Sequence, residues 1–142
     1  HIRILYILLS KRIYNISHFK LPNYSEHKRF VIDSPYRIWY LIKKHEAFIG
    51  SVYITNENVI SITGEKIGIE DYKEILKRVL LKHSPLKPIK SVRNANFLIN
   101  VNPLNKVLIE FMKRTGMEHI QSSFVINPKK IDFLIANNSQ TN

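Results

Sequence analysis

The sequence predicts a single mixed α/β (α+β) domain over residues 1–142, a mostly antiparallel sheet with helices on its faces. Three observations predict it. Apolar residues at helical spacing open the chain and recur after residue 69 and after residue 105; alternation at period two fills the stretch between; and no repeat or long linker divides the chain. A chain of 142 residues, 44% hydrophobic and 23% charged, can bury a core without staples.

Residues 3–13 carry Ile4, Leu5, Leu8, Leu9 and Ile13 in near-helical spacing, with Lys11 and Arg12 at the end where the helix dipole favours cations. Pro22-Asn23 interrupts the chain. Ser25 to Ile32 then reads as a second short helix opening on a small polar cap, and Ser34-Pro35 ends it. From Tyr36 the period becomes two, with Ile38, Tyr40 and Ile42 on one side and Trp39 and Leu41 on the other. Ala47 to Ile54 follows the polar turn 43–46. Val59 to Thr63 follows Asn56-Glu57-Asn58 and pairs antiparallel with the strand before it.

Glu70 to His83 is the clearest helix, with Ile69, Tyr72, Ile75, Leu76, Val79 and Leu80 along one stripe and acids in its first turn. Phe97 to Val101 reads as a buried strand. Asn105 caps a helix with Val107, Leu108, Phe111 and Met112 on its apolar side, and Gly116 stops it at C′. His119 to Ile126 and Ile131 to Ala136 read as two final strands, before a polar tail expected to fray. The predicted order is ααβββαβαββ.

With no cysteine, thiol nucleophiles, disulfides and cysteine metal sites are excluded. No His/Asp/Glu set has metal-ligand spacing and no G-x-S-x-G occurs, so no metal and no serine-hydrolase chemistry is expected. Ile2 to Leu9 is too short to span a bilayer and lacks a small-residue cleavage site. No membrane partner and a cytoplasmic location are therefore expected. The net charge of +11 attracts anions, so nucleic acid stays open as a partner. Exposed strand edges leave a homodimer open. Only four glycines occur, and only Gly64 to Gly68 offers a phosphate loop.

Two segments resemble the GCN5-related N-acetyltransferases (GNAT superfamily), which move an acyl group from acyl-coenzyme A to an amine. Val101-Asn102-Pro103-Leu104-Asn105, a helix and then Lys113-Arg114-Thr115-Gly116-Met117 resemble the family's strand, V-x-P-x-N turn, helix and glycine exit. Tyr24-Ser25-Glu26-His27, leading to Trp39-Tyr40-Leu41-Ile42 and Phe48-Ile49-Gly50-Ser51-Val52-Tyr53-Ile54, resembles the bacterial branch that acetylates amino-sugar nucleotides and related small amines. With the element order, the resemblance spans nearly the whole chain.

The resemblance implies a pantetheine arm between Val59–Thr63 and Phe97–Val101, bonded as an extra strand would be. It implies a pyrophosphate at the N-terminus of the helix near Ile69. Acetyl-coenzyme A or another acyl-coenzyme A would thus be held by Ser61, Ile62, Thr63, Gly64, Lys66, Gly68 and Asn105, with backbone N–H of 61–63 polarising the thioester carbonyl. A small-molecule amine acceptor, an amino-sugar nucleotide among the candidates, would lie against the first two helices and attack directly. There His27, whose ordinary pKa of about 6.5 suits base work, either orients or deprotonates the amine or is simply a helix-surface or helix-packing histidine. Tyr53 is either a pocket wall or core, and Glu57 either a base acting through water or a solvated turn carboxylate.

Two departures from the family pattern stand out. The coenzyme loop is degenerate: Glu70 and Tyr72 fall where small residues belong, and acids crowd the phosphate end. Met112 stands where the family's tyrosine acid would be, so no catalytic residue is assigned. These departures motivate the alternative, a catalytically degenerate module of the same fold that binds an anionic partner, nucleic acid or protein.

Overall fold

The computed structural model describes residues 1–15 and 20–127. Its elements run α1 (Ile2–Ser10), α2 (Tyr24–Ile32), β1 (Ile38–Lys44), β2 (Ala47–Ile54), β3 (Val59–Gly64), α3 (Ile69–Lys82), β4 (Leu98–Ile99) and α4 (Lys106–Arg114). The fold is mixed α+β around a four-stranded sheet in the order β1-β2-β3-β4. β1/β2 and β2/β3 pair antiparallel and β3/β4 parallel.

Period-two alternation divides the sheet into two unlike faces. Register sets Ile38 opposite Ile54, Tyr40 opposite Val52, and Val52 in turn opposite Ile62. On that face Val52, Ile54, Ile60 and Ile62 pack with Tyr72, Leu76 and Val79 of α3 and Leu108 and Phe111 of α4 to form the core. On the other face Trp39 lies opposite Tyr53, and Ser51 opposite Thr63. That side looks towards α1 and α2. β2 and β3 come unusually close where Gly50 meets Gly64, since a Cβ on Gly64 would run into the Ile49 carbonyl oxygen.

Local signals set the helix ends. Asn23 caps α2 in a reciprocal box: its Oδ1 accepts from the Glu26 N–H at 2.9 Å, and its own N–H donates to Glu26 Oε2 at 2.9 Å. The cap is thus Asn23, and the helix starts at Tyr24, one residue before the expected Ser25. Asn105 caps α4 by accepting from the Leu108 N–H at 3.2 Å. At its other end Gly116 takes φ +74°, and the Met117 and Gly116 N–H groups donate to Met112 and Lys113, closing the helix in a Schellman turn.

Several expectations are corrected. α1 stops at Ser10 rather than residue 13, because Ile13 has no core to join and is 67% exposed. Leu80 leaves the α3 stripe and is half exposed. β4 keeps two paired residues where 97–101 were expected. His119 to Ile126 forms no strand: a strand needs a neighbour for its N–H and C=O groups, and β4 supplies almost no edge. Phe124, Val125 and Ile126 are accordingly exposed. The strand expected at Ile131 to Ala136 and the polar tail lie outside the described residues. Among the described residues, no helix is long and apolar enough to cross a membrane.

Candidate functional site

The parallel ladder between β3 and β4 consists of Val59↔Leu98 and Ile60↔Ile99 and then stops. Beyond it the two chains part. The Thr55 N–H donates to the Val59 carbonyl at 3.0 Å and the Glu65 N–H to the Ile49 carbonyl at 2.9 Å, so the odd-numbered residues of β3 bond towards β2. Antiparallel alternation then turns the N–H and C=O of Ile62 the other way, into the opening. A small cavity of about 40 Å³ lies there, with Ser61, Ile62 and Thr63 on one side and Asn100, Val101 and Asn102 on the other. Asn102 is fixed by donating from Nδ2 to the Asn15 carbonyl at 2.6 Å.

A larger cavity of about 460 Å³ occupies the space between α1, α2 and the second sheet face. One side is aromatic. Tyr36 and Tyr53 stack at 3.9 Å with their planes 6° apart, Trp39 stands edge-on to Tyr36 at 5.1 Å, and Phe30 of α2 lies 6.1 Å from Trp39. Leu5, Leu8 and Leu9 of α1 make the apolar opposite side. Arg12, Tyr53 and Thr63 line both cavities, which therefore share a boundary. There Arg12 Nη2 donates to Thr63 Oγ1 at 3.4 Å, and the Ser51 and Thr63 hydroxyls lie 3.2 Å apart.

Burial perturbs His27 and Tyr36 on this side. Desolvation lowers the His27 pKa, partly offset by a hydrogen bond to the Ile2 backbone. The ring is therefore neutral at neutral pH, and its Nε2 is buried with no partner. Trp39 Nε1 is buried and unpartnered too. Burial pushes the Tyr36 phenol well above its usual range, with Tyr53 adding to the rise and Arg12 opposing it.

The loop before α3 is built differently from a phosphate cradle. The Gly68 N–H donates to Asp71 Oδ2 at 3.1 Å, and Lys44 Nζ bridges both Asp71 oxygens at 2.7 and 2.9 Å. Lys44, and then the Gly68 N–H, hold the Asp71 carboxyl below its ordinary pKa. Glu65 pairs with Lys11 at 3.6 Å, while Lys66 is exposed at φ +54°. The helix end that the resemblance assigns to a pyrophosphate thus carries its own anion.

Of the predicted site residues, Ser61, Ile62, Thr63 and Asn105 gather at the small cavity, and His27 and Tyr53 at the large one. Gly64 ends β3, Lys66 and Gly68 lie in the loop after it, and none of the three lines either cavity. The Asn105 side chain is engaged in the α4 cap and in donating to the Tyr72 hydroxyl at 3.3 Å. Met112 packs against the core, and Glu57 sits exposed in the β2–β3 turn outside both cavities. Sequence reasoning missed Arg12, Phe30, Tyr36 and Trp39. The signal that could have marked them is the lone tryptophan on the β1 face turned away from the core. Among the described residues no group of three potential ligands could hold a metal. No family model, curated protein or solved structure matches the chain.

Proposed function

We propose that the protein is an N-acyltransferase that moves an acetyl or other acyl group from an acyl thioester, acyl-coenzyme A being the reference donor, to the amine of a small molecule. One observation carries this reading: the β3/β4 ladder ends at Ile60, leaving the Ile62 N–H and C=O facing an opening that adjoins a large cavity. A pantetheine arm can pair with such a free strand edge. The Ile62 N–H can then polarise the thioester carbonyl where negative charge develops. The amine nitrogen forms its bond to the carbonyl carbon, the carbon–sulfur bond breaks, the nitrogen gives up a proton, and the thiolate takes one.

The GNAT-like fold belongs to the same proposal. It is supported by the splayed strands, by helices on both sheet faces and by the Asn105 turn. The phosphate end fits less well, because Asp71 already holds the Gly68 N–H. Affinity for the donor therefore rests on the arm. Isothermal titration with acetyl-coenzyme A tests the reading: a saturable heat is expected, and no binding at millimolar ligand overturns it.

The same Asp71 cap, with the net charge of +11, favours a second reading, a non-catalytic module for an anionic macromolecule. Binding to nucleic acid that weakens steeply with salt, without donor binding, would select it.

A further inference from the structure

We propose that the large cavity is the acceptor site for an α-amino acid with a bulky aromatic or apolar side chain, its carboxylate on Arg12 and its amine at the boundary with the small cavity. Which nitrogen reacts rests on the transferase reading above; the binding does not.

The walls select the body of the ligand. Leu5, Leu8, Phe30, Trp39 and Tyr53 offer apolar and aromatic surface in a cavity of about 460 Å³, within the range of small-molecule sites. An amino-sugar nucleotide would leave hydroxyls unpaired against these side chains, at the cost of burying polar groups without partners. The proposal therefore takes an amino acid in place of the expected sugar acceptor.

The charges select the anionic group. Among the described residues no carboxylate pairs with Arg12, whose hydrogen bond to Thr63 is long at 3.4 Å and goes to a neutral hydroxyl. Glu26, the carboxylate lining the cavity, is engaged with the Asn23 N–H at 2.9 Å, and Lys20 adds a second cation. A guanidinium with unused donors matches the planar fork of a carboxylate.

Position selects the amine. Arg12 and Thr63 line both cavities, so a carboxylate on Arg12 places a nitrogen one carbon away beside the opening where Ile62 presents its N–H. His27 and Trp39 line the cavity with their rings, while His27 Nε2 and Trp39 Nε1 are buried behind its surface without partners.

Trp39 is the chain's one tryptophan and lines the cavity, so its fluorescence reports occupancy without any donor. The full chain is titrated with L-phenylalanine, with phenethylamine, which lacks the carboxylate, with hydrocinnamate, which lacks the amine, and with glucosamine phosphate. L-phenylalanine is expected to change Trp39 emission saturably and to bind about tenfold or more tighter than phenethylamine. Arg12→Gln is expected to weaken L-phenylalanine and hydrocinnamate by about tenfold or more and to leave phenethylamine unchanged, which also shows that the variant is folded. No saturable change with L-phenylalanine, equal affinity in Arg12→Gln, or tighter binding of glucosamine phosphate overturns the proposal. Saturable binding of L-phenylalanine without its acylation supports the site and removes only the transferase reading. Acylation of another amine without phenylalanine binding removes only the site.

Discussion

At Asn58 one side chain ties the β2–β3 turn to the irregular segment after α3. Its Nδ2 donates to the Leu86 and Asn94 carbonyls at 2.8 and 2.9 Å, and its Oδ1 accepts from the Leu86 N–H at 2.7 Å. The residue is fully buried at φ +64°, a left-handed conformation that asparagine tolerates better than most residues. Asn58→Ala deletes these three bonds, taking their partner from the Leu86 N–H and C=O and the Asn94 C=O, and opens space at a fully buried position. It should destabilise the fold by about 2–4 kcal/mol in chemical denaturation. A loss below about 0.5 kcal/mol, the scale of a surface substitution, would show that the segment is held elsewhere. Nothing in a polar Asn-Glu-Asn turn announces this role, because the partners lie far along the chain.

At the start of α3 one carboxylate both caps the helix and anchors an ion pair. Asp71 caps the helix through the Gly68 N–H and pairs with Lys44. Its folded pKa lies below the ordinary 3.8. The folded state thus binds fewer protons than the unfolded chain between those values. The stabilisation is fully present above the unfolded pKa and is lost as pH falls through the folded one. Asp71→Asn should cost about 1 kcal/mol near neutral pH, with the gap to wild type closing in acid. Thermal melts at both ends of that range check it, and a gap that persists undiminished in acid would contradict the assignment.

Elements were legible in the sequence where their determinants are local. Asn105 and Gly116 bracket α4 because caps act within a few residues, and alternation between two polar turns fixed β2 at Ala47–Ile54. β4 was legible only as an apolar run, since its two-residue length depends on where β3 turns away. The large cavity was the least legible. His27 and Tyr53 were found, but Arg12, Phe30 and Trp39 meet them only once α1 and α2 fold over the sheet.

At the scale of the molecule, the two sheet faces divide the work. α3 and α4 seal one face into a core, while α1 and α2 leave the other hollow and adjoining the gap between β3 and β4. A surplus of eleven positive charges surrounds this arrangement and draws anions of any kind, so charge alone does not separate a thioester donor from a nucleic acid. The gap does. Backbone amide chemical shifts recorded while acetyl-coenzyme A is added read it directly. The account predicts saturable shifts at Ile62 and across Asn100 to Asn102. Unchanged amides there at millimolar ligand, with shifts confined to surface lysines and arginines, would contradict it.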